Sequence, residues 1–144
     1  MNNLDICVSQ LNPTIGDLDG NYEKIYNKTE NSTHADIIVF PELSLTGYPP
    51  MDFLHHDEII DGQKNKIKEL CSLTKEDEIP AIVLGAALED DNKRLRNTAL
   101  VIEDGDIIET YFKRLLPTYD IFDEHRYFEP GDTKGTFQIN GVKV

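Results

Sequence analysis

The sequence predicts an α/β layered domain in which helices cover a sheet that is partly antiparallel. Three observations carry this. Two continuous apolar runs, Asp36-Ile37-Ile38-Val39-Phe40 and Ala81 to Leu88, have the length and composition of strands buried on both faces. Two segments of helical periodicity precede and separate them. Two hairpin signals then follow, Glu103-Asp104-Gly105 and Asn140-Gly141, each between apolar runs.

Taken in order, Leu4 to Leu11 alternates loosely and reads as a strand with Ile6 and Val8 turned inward. Asn12-Pro13-Thr14-Ile15-Gly16 breaks it. Leu18, Tyr22, Ile25, Tyr26 and Thr29 then recur at helical spacing, predicting a helix from about Asp17 to Thr33. After the strand at 36–40, Pro41 opens a loop running to His56. Ile59, Ile60, Gln63, Ile67, Leu70 and Cys71 mark one face of a second helix. Ala81 to Leu88 is the second buried strand. Asn97 to Ile102 and Asp106 to Phe112 form a hairpin, a long loop spans 115–131, and Thr136 to Ile139 begins a last strand. Its return strand, Val142-Lys143-Val144, has only three residues where about five or six are usual. The interrupted hairpin predicts that the chain is a fragment. It also predicts exposed apolar sheet edges, and hence aggregation or dependence on a partner.

Composition narrows the function classes. The 144 residues, the size of one domain, carry 14 Lys+Arg against 27 Asp+Glu, a formal net charge of −13. That balance argues against nucleic-acid or anionic-membrane binding, both of which need a basic face. The longest apolar stretch, Ile79 to Leu88, is about half a membrane span. MNNLDICVSQ lacks a basic region followed by an apolar run, so the N-X-S/T patterns at Asn27 and Asn31 carry no weight and a cytoplasmic setting is expected. Two cysteines make no disulfide framework. Cys7, in mid-strand, and Cys71, on the apolar side of the second helix, read as core residues without an activating base.

The candidate chemistry starts at Glu42, two residues past a buried strand, where α/β folds place ligand sites. Partial desolvation there would make it a general base, and the competing reading is a solvated loop carboxylate. Lys113 ends another strand in Tyr111-Phe112-Lys113-Arg114. It could hold a developing negative charge, or be a surface lysine. The loop 116–129 concentrates Tyr119, Phe122, Tyr127 and Phe128, four of the twelve Phe and Tyr residues (six of each), among charged neighbours. Such a loop binds a ligand, or is pinned by its own aromatics, or both. His55-His56-Asp57-Glu58 has no metal-ligand spacing and suits a solvated helix start. No dinucleotide fingerprint, P-loop, nucleophile elbow or kinase motif is present.

Five blocks, QLNPTIGDLDGN (10–21), DIIVFPELSLTGYPPMDFL (36–54), IVLGAAL (82–88), NTALVIEDGDII (97–108) and YFKRLLPTYDIFDEHRYFEPG (111–131), together resemble the amino-terminal part of the carbon–nitrogen hydrolase (nitrilase) domain. Phe-Pro-Glu and Lys-x-x-Leu-Pro mark the superfamily. Leu-Thr-Gly-Tyr-Pro-Pro, Leu-Pro-Thr-Tyr and Phe-Asp-Glu-x-Arg-Tyr-Phe point to the glutaminase domain of glutamine-dependent NAD synthetases.

The resemblance implies part of a nitrilase-type αββα sandwich and a Glu-Lys-Cys triad. Glu42 matches the base, Lys113 the lysine and Glu124 a second glutamate beside the triad; Tyr48 and Tyr119 match tyrosines of a glutamine pocket. It implies thiolate attack on the glutamine carboxamide, proton transfer through the carboxylate, an oxyanion steadied by the lysine, and hydrolysis of the thioester to glutamate. Ammonia would then serve ATP-dependent conversion of adenylylated deamido-NAD to NAD. The family cysteine is expected a few residues past Val144, leaving residues 1–144 inactive alone. No cofactor is expected in this domain. ATP and magnesium belong to a synthetase domain expected after about another 150 residues, recognisable by a P-loop-like motif. A homo-oligomer is the expected assembly. The alternatives are a small-amide amidase of the same superfamily and a non-catalytic nitrilase-like binding or oligomerisation module.

Overall fold

The structure is a computed structural model that describes residues 3–144. Its main sheet has five strands in the order β1-β2-β3-β4-β5: β1 Ile6–Val8, β2 Ile37–Val39, β3 Ala81–Glu89, β4 Leu95–Glu103 and β5 Asp106–Phe112. β1, β2 and β3 are mutually parallel, and β4 and β5 are antiparallel to their neighbours, giving the mixed sheet expected. Helix α1, Leu18–Glu30, connects β1 to β2, and helix α2, Asp57–Leu73, lies between β2 and β3. Both crossovers step the same way along the sheet, so right-handed connections put both helices on one face. There Ile25, Ile67 and Leu70 pack against Ile38, Ile82, Leu84, Leu100 and Ile102.

Local chemistry sets the element ends. The Asp17 side chain accepts from the Gly20 N–H at 3.0 Å and caps α1. Asp104 and Gly105 take φ of 50° and 91°, the conformation of a two-residue turn, and Glu103 pairs with Asp106 across it. Asn140-Gly141 makes the same turn between β6, Gln138–Ile139, and β7, Val142–Lys143. That hairpin lies on the other sheet face, where Ile139 packs on Ile37 and Ala81. Thr136 and Phe137, expected in the strand, lie outside it.

One orientation is reversed from expectation. Ile6 and Val8 are 52% and 71% exposed, and Cys7 is the β1 residue that joins the helix-side cluster. Alternation assigns Ile6 and Val8 to one face and Cys7 to the other; with apolar side chains on both, it does not say which face the helices cover. Exposed apolar residues occur at both sheet edges, Ile6 and Val8 on β1 and Ile107 and Ile108 on β5. No helix among the described residues is long and apolar enough to cross a membrane.

Candidate active site

β2 ends where Pro41 removes a backbone donor, and the chain then crosses the middle of β3 at Gly85. The Phe40 N–H still donates to Val83 O at 2.9 Å, and the Ser44 N–H ties the loop back to Gly85 O at 3.0 Å. Between these anchors the crossing is very close. A Cβ on Gly85 would lie 2.5 Å from Leu43 N, 2.7 Å from Pro41 O and 2.8 Å from the Glu42 Cα. Glycine at 85 is thus what lets Glu42 sit over the sheet. The next residue, Leu43, is fully buried at φ 47°, a conformation that costs a non-glycine residue about 1–3 kcal/mol and is found where surrounding structure enforces it. From α1, the Asn21 amide donates to Leu45 O at 2.9 Å and steadies the same loop.

Lys113 follows β5 directly. Its N–H donates to Asn97 O at 2.8 Å, and its C=O accepts from the Gly131 N–H at 2.9 Å, so its backbone is held from both sides. Its ammonium donates to Glu42 Oε1 at 2.7 Å and to Glu124 Oε1 at 2.9 Å. Glu124 comes from a short 3-10 turn, Glu124–Arg126, in the long aromatic loop. The Tyr48 hydroxyl donates to the same Glu124 oxygen at 2.8 Å. Asn97, buried on β4, donates its amide to Glu42 Oε1 at 2.5 Å and lies 3.5 Å from Glu124 Oε2.

The structure therefore brings together Glu42, Lys113, Glu124 and Tyr48, the first two separated by 71 positions in sequence. Tyr119 is placed differently. It is 69% exposed, in a separate cleft that also touches Lys113, and its ring meets Phe122, which in turn meets Tyr48. Asn97 was not among the residues expected here. Within the polar run Arg96-Asn97-Thr98 nothing in the spacing marks Asn97 for a partner 55 positions away.

Two carboxylates share one ammonium, and their surroundings differ. The Glu124 side chain is only 6% exposed, whereas that of Glu42 is 42% exposed and faces a cavity of about 320 Å³ lined also by Lys113, Asn97, Ala99 and Tyr111. Burial works against the Lys113 charge, but the hydrogen bonds to Glu42 and Glu124 outweigh it and hold its pKa above the usual lysine value. Burial, together with the bond to Glu124, pushes the Tyr48 hydroxyl far above its ordinary pKa, so it stays a donor. The arrangement offers a fixed cation beside an accessible carboxylate at the end of a buried strand.

Neither cysteine lies at this cavity. Cys7 packs in the helix-side cluster with its Sγ 3.6 Å from Ser32 Oγ. Cys71 packs there from α2, and burial followed by the Asp106 charge pushes its thiol pKa up. Both are half-buried against the core rather than fully enclosed in it. Among the described residues no group of three or more His, Cys, Asp or Glu could hold a metal ion.

This chain belongs to the carbon–nitrogen hydrolase family, whose sequence model matches residues 6–144. Within it, the chain is 34% identical over 146 aligned positions to the glutamine-dependent NAD(+) synthetase of Thermotoga maritima, with all of this chain and 25% of that protein covered. It is 37% identical to the Aquifex aeolicus protein of the same name, covering 98% of this chain and 24% of the relative. The chain thus spans about a quarter of the length of the curated relatives it matches. Its fold superposes on the glutamine-dependent NAD+ synthetase of Acinetobacter baumannii with a TM-score of 0.86 at 30% identity, over 99% of this chain and 27% of that one. An amidase from Nesterenkonia, at 20% identity and a TM-score of 0.80, shares the fold.

Proposed function

We propose that this chain carries the base and the cation of a glutamine amide hydrolase that supplies ammonia for the ATP-dependent amidation of deamido-NAD to NAD. The observation that supports it most is the ammonium of Lys113 bridging Glu42 Oε1 and Glu124 Oε1 at the end of a buried strand. Glu42 accepts the thiol proton and returns it to the leaving ammonia, because its carboxylate is the exposed one of the pair. Lys113 faces the oxyanion of the tetrahedral intermediate. Glu124, buried and saturated by Lys113 and Tyr48, holds the lysine in place. Tyr48 and Tyr119 flank the route by which glutamine enters.

The attacking thiol comes from outside residues 1–144, since Cys7 and Cys71 lie on the helix side. On this reading ATP and magnesium serve the amidation step, which lies outside the hydrolysis that Glu42 and Lys113 carry out. The assay is release of glutamate from L-glutamine, run beside acetamide as a small-amide competitor. The purified 144-residue chain is expected to release none. The polypeptide that joins these residues to the nucleophile is expected to prefer glutamine. Thiol-dependent glutamate release by the 144-residue chain, or preference for acetamide, overturns the reading.

A further inference from the structure

We propose that Asn97 is a positioning residue for this hydrolysis: it engages Glu42 through one oxygen so that the other, Oε2, is the atom that accepts the nucleophile's proton. The inference rests on the glutaminase reading above and adds a residue to it. Glu42 Oε1 receives two hydrogen bonds, from the Lys113 ammonium at 2.7 Å and from the Asn97 amide at 2.5 Å. An ammonium and an amide nitrogen can only donate, so both directions at Oε1 are taken and a proton there would displace one of them. Among the described residues no donor reaches Oε2.

The orientation of the Asn97 amide follows from its surroundings. Turning it over would aim its oxygen at Glu42 and toward Glu124, two carboxylates, so the nitrogen faces them. Asn97 also acts on the other half of the pair. Its main-chain oxygen accepts the Lys113 N–H at 2.8 Å. Opposite Ala87 in the β3–β4 ladder, it is buried on the most extensively paired strands of the sheet. One residue therefore fixes the base by its side chain and the cation by its backbone.

The proton path balances through Oε2. As sulfur bonds to the carboxamide carbon, the thiol proton moves to Oε2. As the C–N bond breaks, the same proton passes to the departing nitrogen, and Glu42 is again a carboxylate for the water that cleaves the thioester. The groups facing Glu42 are Lys113 from the end of β5, Glu124 from the 3-10 turn with Tyr48 behind it, and Tyr111 across the cavity. Asn97 is the neutral group that donates to Glu42 itself. Replacing it by aspartate adds a third carboxylate in nearly the same volume, and a like charge disfavours ionisation of Glu42.

The test is steady-state glutamate release from L-glutamine across pH, in the polypeptide that joins this chain to the thiol, for Asn97→Ala, Asn97→Asp and Glu42→Gln. Asn97→Ala is expected to lower kcat about ten- to hundredfold with KM changed less than about threefold, as for a misplaced base. Asn97→Asp is expected to move the acid limb of the kcat/KM profile up by about one pH unit, so that activity returns as pH rises. A misfolded fraction scales every rate equally and cannot move that limb. The proposal is overturned if Asn97→Ala keeps kcat within twofold, if its loss lies in KM alone, or if Asn97→Asp falls by the same factor at every pH. Activity retained in Glu42→Gln defeats the glutaminase reading itself; silence of Glu42→Gln with unchanged Asn97 variants defeats only the role given to Asn97.

Discussion

Replacing Gly85 by alanine probes how closely the Glu42 loop rides on the sheet. The added methyl carbon would stand 2.5 Å from Leu43 N, 2.7 Å from Pro41 O and 2.8 Å from the Glu42 Cα, all backbone atoms that no rotamer change can move. Ordinary contact begins near 3.4 Å, so the loop must lift by roughly 0.6–0.9 Å, the difference between that limit and the three distances. The Ser44 N–H to Gly85 O bond at 3.0 Å would stretch with it. Glu42 would then leave Lys113 and Asn97, and a misplacement near 1 Å can cost about a hundredfold in rate. Overpacking of this kind costs about 1–3 kcal/mol, which for a domain of this size lowers Tm by roughly 3–12 °C. Thermal unfolding followed by circular dichroism reads the stability, and glutamate release in the nucleophile-bearing polypeptide reads the rate. Wild-type Tm together with wild-type kcat would refute the claim that the Glu42 loop depends on a bare backbone at 85.

Glu124→Gln leaves Lys113 facing one carboxylate in place of two, so its pKa falls; the alkaline limb of the pH–rate profile is expected to move to lower pH, with kcat reduced about ten- to hundredfold. Gln63, fully buried on α2, donates to Ala87 O and accepts from the Ala87 N–H, both at 3.1 Å, doing for β3 what β2 is too short to do. Gln63→Leu orphans both groups at about 1–3 kcal/mol each and should lower the urea midpoint accordingly. Asp90 is gripped by Arg96 and Arg94, and although burial opposes it, backbone and arginine hydrogen bonds depress its pKa well below the usual carboxylate range. Its contribution is fully present above the unfolded value near 4 and is lost as pH falls through the folded one, so acid unfolding should begin at higher pH in Asp90→Asn than in the parent on removal of that contribution. Equal stability of the parent and Asp90→Asn at about pH 5 to 7, where that contribution is full, would contradict this.

The parts of the fold that were legible in the sequence are those where local chemistry and burial agree. The continuous apolar runs at 36–40 and 81–88 became β2 and β3, because a strand covered on both faces has no polar alternation to confuse it. Asp104-Gly105 and Asn140-Gly141 became two-residue turns because their left-handed φ values suit few other residues. Ile60, Gln63, Ile67 and Leu70 marked the buried face of α2. Legibility failed where a choice depends on distant partners. Whether Ile6 or Cys7 faces the helices is decided by the layer above them. Gly85 looked like an interruption of an apolar run, and its reason is the crossing of a loop some 40 positions earlier, which no spacing rule encodes. At the site, Glu42 and Lys113 could be singled out by their places at strand ends. Glu124 could be added only by the family resemblance, and the part of Asn97, which engages Glu42, became visible only when the segments were brought together.

The most direct test of the Glu42–Lys113 pair as a glutamine-hydrolysing site is the activity of Glu42→Gln in the polypeptide proposed to make NAD, measured with glutamine and separately with added ammonium as nitrogen source. Loss of the general base should lower glutamine-dependent NAD formation about a hundred- to ten-thousandfold and leave ammonium-dependent formation at the parental rate. Glutamine-dependent formation at the parental rate in Glu42→Gln would contradict the assignment.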